Sequence, residues 1–184
     1  MKTKINFILI SLVLSFGCME QKVDYLKEGE ILFVNNQNDK EKIIKSIEYF
    51  KQELLENPDS KQAAKYLAIA YSQLSMPDSA QIILSQLIKS QENEMAGLYH
   101  LRGMSKFIIK DYDGSIADFE NAINEYHGNS EIYKQIIISK IWQKYNNDGV
   151  WLEFTTADIA EIIDEVYPTD IEKPNAEEFK YIAQ

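Results

Sequence analysis

The sequence predicts an all-α protein, and two observations predict it. Only seven glycines and four prolines occur among the 184 residues, and the Asn-Gly pairs that favour β-hairpins are absent. Three segments also share one helical pattern, in which a small residue is followed four places later by a large apolar one. The small residues are Ser46, Ala80 and Ser115, which lie 34 and then 35 positions apart. A pattern that recurs at this spacing indicates an array of helical units.

Each repeated segment follows another helical pattern, which predicts that the helices come in pairs. The earlier patterns contain small residues at Gly29, Ala68 and Gly103. We expect these to face the small residues of the second helices, so that the two helices of a pair approach closely. An insertion at Asn35–Lys40 separates the helices of the first pair. One pair cannot bury its own apolar face, so about three stacked pairs are needed for a stable core.

The third pair is the most regular, with the sequence YHLRGMSKFIIKDYDGSIADFENAI from Tyr99 to Ile123. It and its two neighbours resemble tetratricopeptide repeats (TPR), which are antiparallel helix pairs of about 34 residues. The resemblance covers residues 22–127 and implies a TPR-like right-handed superhelix of about three antiparallel helix pairs. Tyr133 lies 34 positions after Tyr99 and opens a further helix.

Residues 128–184 are predicted to form a helical capping region. The segment Ser130–Tyr145 has the pattern of an amphipathic helix, which we expect to end at Gly149 and to cover the apolar end of the last repeat. The later elements are an extended or irregular Val150–Phe154, a helix capped by Thr155 and Asp158 that ends before Pro168, and a short last helix capped by Asn175 and Glu178.

The first residues predict export. Two lysines precede an apolar run from Phe7 to Phe16, and Gly17 stands before Cys18, the single cysteine of the chain. The run is about half of the ~20 residues that a transmembrane helix needs. Residues 1–17 resemble a bacterial lipoprotein signal peptide, with residues 18–21 as a tether. An ordinary secretory signal followed by a stray cysteine is the alternative.

The lipoprotein resemblance implies that Cys18 becomes the first mature residue and carries acyl chains such as palmitate. The mature chain would then be a lipid-anchored membrane protein of the bacterial cell envelope that faces the periplasm or the cell surface. Met19 rather than aspartate follows the cysteine, which is compatible with the outer membrane in a Gram-negative source.

The charge of the chain argues against nucleic-acid binding. The formal net charge is −10, and removal of residues 1–17 takes away two lysines and no acid, which leaves −12. An acidic surface repels phosphate backbones and anionic headgroups.

The sequence offers little for catalysis, so we predict a non-enzymatic protein without a cofactor. His100 and His127 are the two histidines, and no phosphate loop, zinc-binding helix or nucleophile elbow occurs. The spacing from Asp111 to Glu120 follows part of a calcium loop, but Ile109 stands where the first aspartate is needed. We therefore expect no metal site, and we expect Asp111 to cap a helix and Glu120 to face solvent.

The TPR resemblance implies a groove, lined by the first helix of each pair, that binds a peptide or helix of another protein, here an envelope protein. Lys65 is the one cation among the groove positions, which does not fit the carboxylate-gripping subtype. The chain's own C-terminal tail is the alternative occupant of the groove. The candidate groove residues are Leu26, Glu30, Phe33, Lys65, Ile69, Ser72, Gln73, His100, Met104, Phe107 and Ile108.

Two other functions compete with this interaction scaffold. An inhibitor or immunity-type lipoprotein would neutralise a specific target through the acidic surface, and its affinity would fall steeply with salt. An enzyme would need a site in the C-terminal third, around Trp142 and Trp151 with acids such as Glu153 or Asp158.

Overall fold

A computed structural model describes residues 23–90, 95–125, 129–148 and 155–179. Within these ranges the chain forms helices and no strand, which confirms the all-α prediction. The α-helices are α1 (Tyr25–Val34), α2 (Lys40–Glu56), α3 (Lys61–Gln73), α4 (Pro77–Ser90), α5 (Ala96–Ile108), α6 (Tyr112–Glu125), α7 (Ser130–Asp148) and α8 (Thr156–Val166). A single 3₁₀ turn, Ala176–Phe179, follows α8.

The helices stack as a TPR-like array. Each described helix packs against the next along the chain, from α1 on α2 to α8 on the 3₁₀ turn, and α1 also touches α3. This order of contacts is that of a solenoid, in which every unit is stabilised by its neighbours. The fold prediction is confirmed, and α7 with α8 adds a fourth pair to the three repeats.

Two glycines permit the close approach of paired helices. A Cβ atom on Gly29 would lie 2.7 Å from Cε1 of Phe50, and one on Gly103 would lie 2.8 Å from Cε1 of Phe119. Both rings are fully buried. In both pairs the missing side chain of the glycine makes room for a phenylalanine ring of the second helix.

Aromatic rings join the first pair to the second. The rings of Phe50 in α2 and Tyr66 in α3 are stacked, with centroids 5.3 Å apart and planes within 8° of parallel. The ammonium of Lys51 lies over the ring of Tyr71, 5.7 Å from its centroid. This junction is held by apolar and cation–π contact.

The turns of the second and third pairs share one geometry. Ser75 and Lys110 have φ values of 56° and 67°, in the left-handed region. In the turn after α3 the amide of Met76 donates to the carbonyl of Tyr71 at 2.9 Å. In the turn after α5 the amide of Asp111 donates to the carbonyl of Lys106, also at 2.9 Å. These are Schellman motifs, which usually have glycine at the left-handed position.

Helix α7 covers the third repeat as expected, but it is not amphipathic. Ile132 and Ile136 pack into the cluster that contains Phe119, whereas Ile137 and Ile141 pack against α8 on the other side. A helix with neighbours on both sides is apolar on both sides, which corrects the expected one-sided pattern.

Helix α8 and the 3₁₀ turn begin at the predicted capping residues. Thr155 and Asp158 form a reciprocal capping box on α8, which ends at Val166 before Pro168. The side chain of Asn175 accepts a hydrogen bond from the amide of Glu177 at 3.0 Å, at the start of the 3₁₀ turn. Gly149 and Val150–Phe154 lie outside the described residues.

None of the helices in the described ranges combines the length and apolarity needed to cross a bilayer. Residues 1–22, with the predicted signal peptide and Cys18, lie outside those ranges, so lipidation stays a prediction.

Candidate protein-binding groove

All eleven predicted groove residues lie on the first helices α1, α3 and α5. Lys65, Gln73 and Ile108 are exposed, and most of the others are half-buried: Leu26, Glu30, Ile69, Ser72, His100, Met104 and Phe107. The remaining residue, Phe33, is only 3% exposed. Its ring meets those of Phe50 and Tyr66 edge-on, so Phe33 belongs to the core and a partner in the groove does not reach it.

The centre of the groove is made of side chains that are already engaged with the protein. The hydroxyl of Ser72 donates to the carbonyl of Ala68 at 3.0 Å. The ring of His100 packs 5.7 Å from that of Phe119. Burial lowers the pKa of His100, against a smaller opposite effect of Glu131. A neutral imidazole packed on a ring is a structural group, and nothing in this geometry activates it as a base.

One edge of the groove is aromatic. Phe107 meets Tyr112 edge-on with centroids 5.5 Å apart, and Tyr112 stacks on Trp142 of α7 at 6.4 Å. Next to them Ile108 is 49% exposed. We call Phe107, Ile108, Tyr112 and Trp142 the aromatic edge. Sequence reasoning did not place Trp142 in the groove, although it follows Ile108 by 34 positions, the repeat length.

The fourth pair adds a cation at a position equivalent to a predicted groove residue. Lys134 of α7 follows His100 by 34 positions and was also missed. Its ammonium lies 4.0 Å from a carboxylate oxygen of Glu178, in the 3₁₀ turn. In the described structure the buried cluster around that turn consists of α7, α8 and C-terminal residues, with no groove residue of α1, α3 or α5. The tail up to Phe179 thus packs beside α7 and α8.

A buried ionic cluster fixes α5 and α6, the two helices that carry Phe107, Ile108 and Tyr112. The carboxylate of Asp118, in α6, accepts two hydrogen bonds from the guanidinium of Arg102, at 2.8 and 2.6 Å. The ammonium of Lys106 lies 2.9 Å from the same carboxylate. A third guanidinium nitrogen reaches the hydroxyl of Ser85, in α4, at 3.2 Å. We call these four residues the inter-repeat cluster, because they connect α4, α5 and α6.

The burial and the charges of the inter-repeat cluster indicate that it holds the helices together. The side chain of Asp118 is 3% exposed, whereas those of Arg102 and Lys106 are 17% and 19% exposed. The hydrogen bonds to Asp118 raise the pKa of Arg102. A two-pronged guanidinium–carboxylate contact is both strong and directional. Sequence reasoning missed it because the partners lie on different helices at no characteristic spacing.

The aspartates that imitate a calcium loop have a structural role. The side chain of Asp111 accepts a hydrogen bond from the amide of Gly114 at 3.0 Å, which caps α6 as predicted. Glu120 is exposed, also as predicted. Among the described residues no group of three or more possible metal ligands comes together, and His127 lies outside them.

The C-terminal third contains a polar depression between α7 and α8 of about 450 Å³. Asp158 lines it, but its carboxylate accepts hydrogen bonds from the hydroxyl and amide of Thr155, at 2.6 and 2.9 Å. These bonds lower the pKa of Asp158. A carboxylate held as a cap is a poor acid–base group at neutral pH. Trp151 and Glu153, the other residues of the enzyme hypothesis, lie outside the described ranges.

Comparison with known proteins supports the fold. No protein-family model matches the chain, and no curated protein sequence matches it. Among solved structures, the chain is similar to "MamA AMB-1 C2221", a TPR-like helical repeat protein, with a TM-score of 0.59 and 16% sequence identity. The match covers 78% of this chain and 76% of that chain. At this identity the likeness shows the fold alone.

Proposed function

We propose that this chain is a membrane-tethered, non-enzymatic scaffold that binds a peptide or helix of another envelope protein in the groove of its repeats. The observation that carries the proposal is the aromatic edge, where Ile108 is 49% exposed beside the half-buried Phe107 and Trp142. Aromatic residues and their apolar neighbours contribute most of the binding energy in many interfaces.

The surroundings of the aromatic edge support a preformed surface. Helix α5 carries both Phe107 and the two cations of the inter-repeat cluster, so this helix is fixed against α4 and α6. A rigid site loses little conformational entropy on binding. A suitable partner therefore presents an apolar anchor to the aromatic edge, with an acidic group for the exposed Lys65.

The tether is proposed from the signal-like N-terminus and Cys18. An anchored scaffold meets membrane-bound partners at a raised effective concentration, so that modest groove affinity suffices. The enzymatic alternative receives no support from Asp158, which is engaged with Thr155.

The test is affinity capture from native membranes with the full chain and two matched variants. Ile108→Asp places a charge on the aromatic edge. Ile82→Asp makes the same change at an isoleucine of α4 that is 62% exposed and lies outside the groove. We expect a specific partner with the wild type and with Ile82→Asp, and its loss with Ile108→Asp.

Retention of the partner by Ile108→Asp would overturn groove binding. The salt dependence then discriminates the alternative, because binding through the acidic surface weakens steeply between about 0.05 and 0.5 M salt. Apolar groove binding changes little over that range.

A further inference from the structure

The two ends of the array differ in how their apolar side chains are covered. In the described ranges, every large hydrophobic residue that is strongly exposed precedes residue 110, and none lies in 129–148 or 155–179. Helix α8 and the 3₁₀ turn close the C-terminal end. More than half of the exposed residues belong to the first pair and its N-terminal flank, namely Val23, Ile31, Val34, Ile44 and Leu55. Repeat arrays need a polar cap at each end, and no described residue from 23 onwards forms such a cap on the first pair.

Helix α1 concentrates this exposure on one side. Lys27, Ile31 and Val34 are spaced i, i+4 and i+7, which places them on a single helix face. Ile31 and Val34 are 49% and 52% exposed. The buried residues of α1, Gly29 and Phe33, lie on the other face and pack on the neighbouring helices. We call Lys27, Ile31 and Val34 the α1 stripe.

The α1 stripe lies close to the proposed anchor along the chain. Six residues, 19–24, separate Cys18 from the first residue of α1. The seven residue steps from Cys18 to Tyr25 span at most about 25 Å when fully extended. An acylated Cys18 therefore holds this end of the array against the bilayer, whereas the capped end can lie far from it.

We propose that the α1 stripe docks on the lipid surface to which Cys18 is anchored, so that the bilayer covers the open end of the array. This inference rests on the tether in the proposed function. Short tethers give effective concentrations on the order of millimolar, so a few half-exposed aliphatic residues suffice for docking. The long side chain of Lys27 extends towards the headgroups while its methylenes stay on the apolar surface.

Charge favours a lipid surface over a second copy of the chain. The formal net charge is −10, or −12 without residues 1–17, so two copies repel each other. Zwitterionic headgroups present no such repulsion. Docking by apolar burial should accordingly be insensitive to salt.

The test measures the depth of a label at the α1 stripe. The full chain, processed at its signal, is reconstituted into phosphatidylcholine vesicles that contain a nitroxide-labelled lipid as a fluorescence quencher. Because Cys18 is the single cysteine, Ile31→Cys introduces one labelling site once Cys18 is acylated. Ile82→Cys, 62% exposed on α4, is the matched control. Val34→Cys repeats the measurement should Ile31→Cys fold poorly.

We expect the label at position 31 to be quenched at least about twofold more than the label at position 82, since interfacial side chains enter the headgroup boundary. The ratio should stay the same in low and high salt. Equal quenching at the two positions would overturn the docking and leave the tether and the groove untouched.

Two other outcomes would also overturn the docking of the α1 stripe on the lipid surface. Labelling of the wild-type chain at Cys18 would show that its thiol is free, which would overturn both the lipid tether and the docking of the α1 stripe. Binding of a partner in the groove is tested separately by the affinity capture. Disulfide formation between two copies at position 31 in the vesicles would show that a second copy covers the stripe.

Discussion

Gly103→Ala is expected to destabilise the protein, although alanine is the better helix former. The new Cβ atom would lie 2.8 and 2.9 Å from two ring atoms of Phe119. Carbon atoms in contact prefer a separation of about 3.5–4.0 Å. The ring has no room to withdraw, because it is fully buried in a cluster with Ile116 and Ile136.

The magnitude follows from two opposing effects. Overpacking of a well-packed core costs about 1–3 kcal/mol. Alanine in place of glycine within a helix returns about 0.5–1 kcal/mol. The free energy of unfolding of Gly103→Ala should therefore fall by about 1–2 kcal/mol.

Gly97 provides the control on the same helix. A Cβ atom there meets nothing within 4 Å, so Gly97→Ala should stabilise the protein by about 0.5 kcal/mol. Urea denaturation followed by circular dichroism measures both variants. Equal or greater stability of Gly103→Ala than of the wild type, with Gly97→Ala behaving as expected, would refute the assigned contact with Phe119.

Three further changes test other features. Asp118→Asn leaves Arg102 and Lys106 facing each other without a carboxylate, and should lower the free energy of unfolding by about 2–3 kcal/mol, since both cations retain some contact with water. Lys110→Gly should raise it by about 0.5–1 kcal/mol, because φ at this position is 67°. Burial lowers the pKa of His100, so the unfolded chain binds more protons just below the ordinary value of 6.5. Stability should therefore fall as the pH falls below about 6.5, and less so in His100→Gln.

Each of these changes has its own control in urea denaturation. Glu120→Gln neutralises an exposed acid on the same helix as Asp118 and should leave stability unchanged. Lys110→Ala removes the charge but keeps a Cβ atom, so a gain equal to that of Lys110→Gly would contradict the backbone explanation. Identical pH profiles for the wild type and His100→Gln would contradict the role of His100.

The fold could be predicted because repeat spacing and helical pattern are local properties of a sequence. The regularity from Tyr99 to Ile123 determined the third pair, and Thr155 with Asp158 determined the start of α8. The pattern was insufficient for α7. Isoleucines such as Ile137 occur both in a helix that is covered on one side and in a helix that is covered on two sides, so the sequence does not distinguish the two cases. Only the packing shows that both sides of α7 are covered.

The groove stays a prediction, and the sequence alone misplaces or omits some of its neighbouring residues for physical reasons. Phe33 stands at a groove position of the family, but in this chain its ring fills the space between Phe50 and Tyr66. The sequence predicts residues 128–184 as a cap rather than as a fourth pair, so it does not place Trp142 beside the groove. The contact between Arg102 and Asp118 depends on how two helices are juxtaposed, which no local pattern encodes.

The first two junctions between pairs, α2 on α3 and α4 on α5, should respond differently to mechanical load. Stacked rings, such as those of Phe50 and Tyr66, keep most of their contact when one slides over the other. The guanidinium of Arg102, shared between Ser85 and Asp118, has a fixed direction and resists rotation. We expect the first pair to act as a compliant hinge and the second and third pairs to bend as a stiff unit. In the proposed tethered scaffold, a pull between the N-terminus and a bound partner would then change the angle of the groove to the membrane before it changes the shape of the aromatic edge.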